Sequence, residues 1–284
     1  MPEQPPADLA QQVEAALRED LGSGDVTANL VPAAQRVRGS VVSREEAVLC
    51  GRAWADETFR QLDSKVQLTW HAADGDRVAA QQVIFAIAGP ARPVLTGERT
   101  ALNFLQLLSA TATAARRFVD AVAGTGCQIL DTRKTVPGLR TAQKYAVRCG
   151  GARNHRMGLY DQVLIKENHI AAAGSLTGAI EAARHNAAGV TVEVEVETLG
   201  ELQEALSARA DIVMLDEFTL EDMRAAVALN RARGAAAKLE VSGSVSLDAV
   251  RAIAETGVDF ISVGAITKNV RAIDLSMRLD FGGG

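Results

Sequence analysis

Apolar residues Leu9, Val13, Ala16 and Leu17 recur at helical spacing and predict an amphipathic helix over residues 7–20, ended by Gly22 and Gly24. From Arg36 the period shortens, predicting strands over 37–42, 47–50, 66–70 and 83–87, with a short helix over 53–62. Asp74-Gly75-Asp76 and Gly89-Pro90 are turn signals around the last of these strands. This part of the chain is expected to form a small α+β domain. Residues 93–123 carry helical apolar spacing throughout and predict one or two packed helices acting as a hinge between domains.

After Gly126 short apolar runs alternate with amphipathic ones. The runs predict strands over 128–130, 163–165, 191–196, 212–215, 238–241 and 260–263, and helices over 139–148, 176–184, 199–207, 220–229 and 247–255. Repeated βα units of this length imply a parallel sheet with its helices outside, closed or nearly closed into a barrel. The expected division is an N-terminal domain over 1–112 and a barrel over 113–269, with 270–284 packing back on the first domain. There is no repeat of fixed period, and the only low-complexity segment is Gly282 to Gly284.

The 284 residues suffice for one large or two modest domains with a substantial core. Net charge is -5, which disfavours nucleic acid as a partner because phosphate-backbone binding needs an extended basic stripe. Cys50, Cys127 and Cys149 are widely spaced with no CxxC pair, a usage that suits a reducing cytosol and argues against a zinc site or a disulfide frame. The N-terminus carries acids and glutamines instead of a basic start and an apolar run, and no stretch reaches the roughly 18 consecutive apolar residues of a membrane helix. A cytoplasmic protein without a membrane partner is expected.

One stretch opposes the overall charge. Between Asp131 and Arg156 lie Arg133, Lys134, Arg140, Lys144, Arg148, Arg153, His155 and Arg156, with Asp131 the single acid. Such segregation points to a small, multiply charged anion. A parallel barrel keeps its active site at the carboxyl ends of its strands. Those positions hold Asp131, Thr132, Arg133 and Lys134; Lys166, Glu167, Asn168 and His169; Glu195 and Glu197; Asp216 and Glu217; Ser242, Gly243 and Ser244; and Gly264. Arg133, Lys134, His155, Arg156 and Lys166 can bind carboxylates, arginine with a directional fork that lysine lacks. Glu195 and Asp216, from adjacent strands, can hold Mg²⁺ directly or through water, or face a developing cation. Glu193, Glu195 and Glu197 share one strand face, so at most two of them can enter a site. Gly243 and Gly264 leave backbone amides open to a phosphate. GxxxxGK[ST], HExxH and GxSxG are all absent.

These residues resemble the quinolinate phosphoribosyltransferase (decarboxylating) family. The resemblance rests on EDLGSGDVT at 19–27, GERTALNFLQLLS at 97–109, the block from Asp131 to Asp161, KENHI at 166–170, EVEVE at 193–197, DIVMLD at 211–216, LEVSG at 239–243 and ISVGAITK at 261–268. It implies an open, TIM-like α/β barrel of fewer than eight strands beside an N-terminal α/β sandwich domain. It also implies a homodimer, or a larger set of dimers such as a hexamer, in which the partner's N-terminal domain covers the barrel site and donates Arg99. By the same resemblance, Arg133, His155, Arg156 and Lys166 fall at quinolinate-binding positions, and Thr132 at a substrate-binding one. Lys134, Glu195 and Asp216 fall near the ribose, the pyrophosphate and Mg²⁺, and carry the catalytic roles. Ser242, Gly243, Gly264 and Lys268 belong to the phosphate cradle. Two positions depart from the family pattern: Glu217, where Asn is common, and Lys268, where His is frequent. The reaction implied joins quinolinate to phosphoribosyl pyrophosphate in NAD biosynthesis.

A barrel lyase using Lys166 as a Schiff base is disfavoured by the dense arginine set. A molybdenum-transport-associated relative is disfavoured by the complete motif at 166–170, and a non-catalytic metabolite sensor by the retained acids Glu195 and Asp216.

Overall fold

The computed structural model describes residues 4–281. Met1 to Glu3, at the head of the acidic N-terminus, and the terminal glycines Gly282 to Gly284 lie outside the described residues. The chain forms two compact units, the first comprising Met1–Arg116, Thr135–Gly151 and Ile266–Gly284, the second Arg117–Lys134 and Ala152–Ala265.

The first unit contains helix α1 (Leu9–Leu21), strands β1 (Arg36–Ser43) and β2 (Ala47–Val48), helix α2 (Arg52–Leu62), and strands β3 (Gln67–Trp70), β4 (Arg77–Val78) and β5 (Val83–Pro90). Helix α3 (Ala91–Ala121) is a single 31-residue helix where one or two were expected; Pro93 sits in its first turn, where a missing N–H costs nothing. An antiparallel sheet of order β12-β1-β5-β3 is completed by the C-terminal strand β12 (Leu275–Asp280), while β2 and β4 form a separate ribbon. Alternation on β1 and β5 sends Val37, Val41, Phe85 and Ile87 into one core, with Ala55 and Phe59 of α2 and Leu102 and Leu105 of α3. Each such side chain, fully buried, contributes about 1.5 to 3 kcal/mol.

Helix α4 (Arg140–Cys149), which lies within the basic stretch, also belongs to this unit. The expected barrel range of 113–269 therefore contains a segment, Thr135–Gly151, that packs elsewhere. Its apolar face explains why. Ala142, Tyr145 and Ala146 bury against Val13, Trp54, Phe104 and Leu108. The Trp54 and Tyr145 rings lie 5.3 Å apart, and the Tyr145 hydroxyl donates to Asp74 Oδ2 at 2.7 Å. Lys144 is fully buried, which excludes the solvent-facing role open to it from sequence. Arg148 stacks over the Tyr145 ring, and Arg140 Nε donates to Thr135 Oγ1 at 3.1 Å.

The second unit is built on six parallel strands: β6 (Gln128–Leu130), β7 (Val163–Ile165), β8 (Val192–Val196), β9 (Ile212–Leu215), β10 (Lys238–Val241) and β11 (Phe260–Ser262). Their order is β6-β11-β10-β9-β8-β7, so the sheet runs round from β7 to β6 and stays open between those two. Its helices are α5 (Glu167–Ala173), α6 (Leu176–Asn186), α7 (Leu199–Ser207), α8 (Leu220–Ala232) and α9 (Val250–Ala254); α10 (Ala265–Lys268) follows at the junction of the two units. Local chemistry starts several of them: Ser175 and Thr198 accept from backbone N–H groups of the first turn, and Thr219 forms a reciprocal capping box with Asp222. No helix among the described residues is long and apolar enough to cross a membrane.

Candidate active site

The site begins where β6 ends. Beside the open edge of the sheet, Arg153 forms a single parallel rung with β6: its N–H donates to Ile129 O at 2.9 Å, and Asp131 N–H donates to Arg153 O at 3.1 Å. That rung delivers Asn154, His155 and Arg156 to the carboxyl end of the strands. Asp131 locks them there. Fully buried, its Oδ1 accepts the His155 backbone N–H at 2.9 Å and its Oδ2 accepts Asn154 Nδ2 at 2.6 Å. The lone acid of the basic stretch is thus a clamp for the loop, with hydrogen bonds strengthened by its charge.

A cavity of about 240 Å³ opens at these strand ends, lined by Thr132, Arg133, Lys134, His155, Arg156, Leu164, Lys166, Met214, Glu240, Ser242 and Ser262. The structure thereby gathers seven predicted residues from three strand ends and the 153–156 segment. Burial, and next the like charge of Arg133, push the Arg156 guanidinium below its usual range, opposed by Glu193 and Asp161. A guanidinium whose charge is made costly by burial and by a neighbouring cation favours a bound anion.

Lys166 closes β7, and its Nζ is in direct contact with Glu195 Oε2 at the end of β8. The two side chains differ in exposure, 44% for the lysine and 13% for the acid, so the pair stands at the cavity wall with one end open. His169 does not face this pair: its Nδ1 accepts the Lys166 backbone N–H at 3.0 Å and secures the start of α5. Asp216 follows β9, where its N–H donates to Val196 O at 3.0 Å; it lies one layer beyond Glu195, which pairs with Met214 in register. Glu195, Asp216, Gly243 and Gly264 surround the cavity's strand ends without lining it. Arg99, exposed on α3, and Lys268, exposed at the end of α10, belong to the first unit.

Two glycines are needed for different reasons. Gly243 adopts φ +124° with open space around it, a backbone conformation that L side chains avoid and that leaves its amide accessible. At Gly264 a Cβ would meet Lys134 Cδ at 3.0 Å and Thr132 Oγ1 at 3.5 Å, so its bareness makes room for the lysine. The departure at Glu217 also acquires a structural meaning, because its φ is +55°, in the left-handed region that Asn tolerates and Glu does not. Replacing Glu217 by Asn is expected to raise stability by about 1 kcal/mol. Urea unfolding checks it; an unchanged or lower midpoint would refute the strain.

Two acids stand at the site that sequence reasoning did not assign. Glu193 and Glu240 are both fully buried, and His155 Nε2 lies 3.0 Å from Glu193 Oε2 and 3.6 Å from Glu240 Oε1. Burial first, then the neighbouring Glu193 charge, raises the Glu240 carboxyl to about 8. A signal existed: each is a charged residue between apolar neighbours in a strand covered on both faces. Of the three alternating glutamates, Glu193 and Glu195 turn toward the barrel interior, while Glu197 is exposed and its N–H donates to Glu201 Oε2 at 2.7 Å.

With this geometry in hand, known proteins supply the comparison. Residues 25–109 match the N-terminal domain of quinolinate phosphoribosyl transferase, and residues 111–278 match its C-terminal domain. The chain is 43% identical over 261 residues to a probable nicotinate-nucleotide pyrophosphorylase (carboxylating) of Bacillus subtilis, covering 91% of this chain and 89% of that one. It is 42% identical over 273 residues to the nicotinate-nucleotide pyrophosphorylase (carboxylating) of Mycobacterium leprae, covering 94% and 95% of the two chains. The solved nicotinate-nucleotide pyrophosphorylase of Francisella tularensis superposes with a TM-score of 0.93 at 47% identity, covering 98% of each chain. On two matching domains and these relatives, the chain belongs to the quinolinate phosphoribosyltransferase family.

Proposed function

We propose that this protein joins quinolinate to phosphoribosyl pyrophosphate, forming nicotinate mononucleotide and releasing pyrophosphate and carbon dioxide, as a step of NAD biosynthesis. The observation that carries the reading is the convergence of Arg133, Arg156 and Lys166 on one cavity whose 240 Å³ suits a single aromatic ring with two carboxylates. The ring nitrogen of quinolinate attacks C1 of the ribose as the bond from C1 to pyrophosphate breaks. The alkylated ring is then positive and stabilises the electron pair left at C2 when the C2 carboxylate departs as carbon dioxide, and that pair takes a proton from water to form the C2–H bond of the product. No covalent enzyme nucleophile is required. Lys166, paired with Glu195, is an ammonium on a carboxylate, a poor starting point for a Schiff base.

Developing positive charge on the ribose calls for a carboxylate nearby, and Glu195 and Asp216 are assigned that role, with Lys134 oriented toward the phosphates. The same two acids suit Mg²⁺, since they are hard oxygen donors on adjacent strands and Glu195 keeps an oxygen outside its contact with Lys166. Bound there with the pyrophosphate, Mg²⁺ would neutralise charge on the leaving group. Ser242 and the open amides of Gly243 and Gly264 form the proposed phosphate cradle. His155 and Thr132 complete the quinolinate side. A cytoplasmic homodimer with a shared site is part of the same reading. It is supported by the exposed Arg99 and by Leu159 and Tyr160, which are 75% and 80% exposed on the loop that follows Arg156.

The deciding assay is nicotinate mononucleotide formation from quinolinate and phosphoribosyl pyrophosphate, with and without Mg²⁺, against nicotinate as control. Equal use of nicotinate would end the two-carboxylate reading. The shared site has its own test. Inactive Arg99→Ala and inactive Lys134→Ala protomers, mixed and allowed to exchange, are expected to recover about a quarter of wild-type activity, because half of the mixed assemblies' sites are intact. Confirmed exchange without recovery would show that Arg99 serves its own protomer or none.

A further inference from the structure

Four side chains form a closed circuit beneath the cavity. His155 Nε2 lies 3.0 Å from Glu193 Oε2; His155 Nδ1 accepts the Arg156 backbone N–H at 2.7 Å; Arg156 Nη1 donates to Gln162 O at 3.4 Å; and Gln162 Nε2 donates back to Glu193 Oε2 at 2.7 Å. Glu240 approaches the same imidazole from β10, with Oε1 at 3.6 Å from Nε2. No hydrogen bond of good geometry closes on either Glu240 oxygen or on Glu193 Oε1, although all are buried. Two fully buried carboxylates set against one imidazole are costly to keep and so call for a role.

A metal ion on these three side chains is one reading, and the tautomer opposes it. With the Arg156 N–H donating to Nδ1, a neutral ring carries its proton on Nε2, the atom a metal would need bare. The same constraint bears on His155 itself. Nδ1 accepts the Arg156 N–H, and Nε2 is turned toward the buried carboxylates, 3.0 Å from Glu193 Oε2, so the imidazole meets a ligand as a fixed wall, and the group it fixes is Arg156.

We propose that Glu193 and Glu240 are positioning residues for the dicarboxylate half of the site, holding the His155 ring and, through Nδ1, the Arg156 backbone in the orientation that aims the guanidinium into the cavity. The inference rests on the proposed function for the identity of the ligand, but its geometry does not. Protonated Glu240 is the natural form of this arrangement. Its proton can bridge to Glu193, leaving one negative charge for the Nε2–H, and burial together with Glu193 raises its carboxyl to about 8. The groups facing Glu240 are His155, Glu193 on β8 and Ser262 on β11, and the cavity it lines also holds Arg133, Lys134, Arg156 and Lys166. As pH rises through about 8, ionisation of Glu240 adds a negative charge beside a site for a dianion, and quinolinate binding should weaken.

Glu240→Leu and Glu240→Gln test this, with KM for quinolinate, KM for phosphoribosyl pyrophosphate and kcat measured from pH 6 to 9. In wild type the quinolinate KM is expected to rise above about pH 8. Glu240→Gln, a mimic of the protonated acid, should keep the quinolinate KM within about threefold at pH 7 and lose that rise. Glu240→Leu should raise the quinolinate KM by roughly tenfold or more while the other substrate's KM and kcat stay within about twofold. A wild-type quinolinate KM in Glu240→Leu, an equal rise for both substrates, or an unchanged alkaline rise in Glu240→Gln would overturn the proposal. Should Glu240→Leu fail to fold, the Gln profile decides alone. A second readout needs no turnover. An acid that keeps its proton to about 8 in the folded chain and loses it near 4.5 when unfolded makes stability fall as pH rises between those values. Glu240→Gln should flatten that slope in urea unfolding, and an unflattened slope counts against the protonated form. Wild-type protein with no activity on quinolinate would instead refute the proposed function.

Discussion

Arg156→Ala is expected to leave the protein folded and to weaken quinolinate binding by roughly 10- to 150-fold, the equivalent of about 1.5 to 3 kcal/mol for one charge-assisted contact. The reasons lie in the free site. Among the described residues the Arg156 guanidinium makes one long hydrogen bond, 3.4 Å to the Gln162 carbonyl, and its charge is disfavoured by burial and by Arg133. A guanidinium held in that condition gains from a carboxylate more than a well-paired one does. Truncation also removes the directional fork, so Arg156→Lys should restore little, whereas at a site of bare positive charge lysine would serve nearly as well. Titration calorimetry with quinolinate checks both variants. Near-normal binding in Arg156→Ala would remove this arginine from the site, and full rescue by lysine would reduce its role to net charge. Arg133→Ala should behave alike in binding, with one difference. Loss of Arg133 relieves the strain on the Arg156 charge, so its net cost should be the smaller of the two.

Glu195→Gln is expected to lower kcat by about 100- to 1,000-fold while quinolinate KM changes little, the scale seen when one preorganised electrostatic group is removed from a transition state. Glutamine preserves the shape and the hydrogen-bonding reach of the acid and removes only the charge. If the ribose develops positive charge as pyrophosphate departs, that charge is what the reaction uses. Lys166 modulates the effect: its Nζ contacts the same carboxylate, so Lys166→Met should cost quinolinate affinity and also free Glu195 to move. Comparing the two variants separates the roles, since the first acts on kcat and the second on both kcat and KM. Mg²⁺ affinity in the presence of phosphoribosyl pyrophosphate adds a further readout. A fall in Glu195→Gln supports the acid as a metal ligand, whereas an unchanged kcat would remove it from the chemistry altogether.

Much of the second unit was legible because its signals are local. Short apolar runs between turn residues placed β6 to β11 within a residue or two, since periodicity depends on near neighbours alone. The capping residues Ser175, Thr198 and Thr219 mark helix starts for the same reason. Elements with little pattern escaped: β4 has two residues, α10 has four, and α5 hides within a motif read for its charges. In the site, Arg133, Lys134, Lys166 and Ser242 stand out by type and by their place at strand ends, His155 and Arg156 by type within the basic stretch, and the cavity gathers all six.

The sequence by itself determined most of the segments that become strands and helices, that the parallel strands form a barrel-like sheet, and that positive charge concentrates between Asp131 and Lys166. Those conclusions need only spacing, composition and residue chemistry. Tertiary structure alone decided that the sheet's opening lies between β6 and β7, that Thr135–Gly151 packs with the first unit, and that Asp131 is a clamp. It also decided that Lys144, Glu193 and Glu240 are buried and that Lys166 meets Glu195. The reason is common to all of these. A side chain's charge is written in the sequence, but its burial and its partner depend on which distant segment covers it, and in a sheet covered on both faces alternation no longer tells inside from outside.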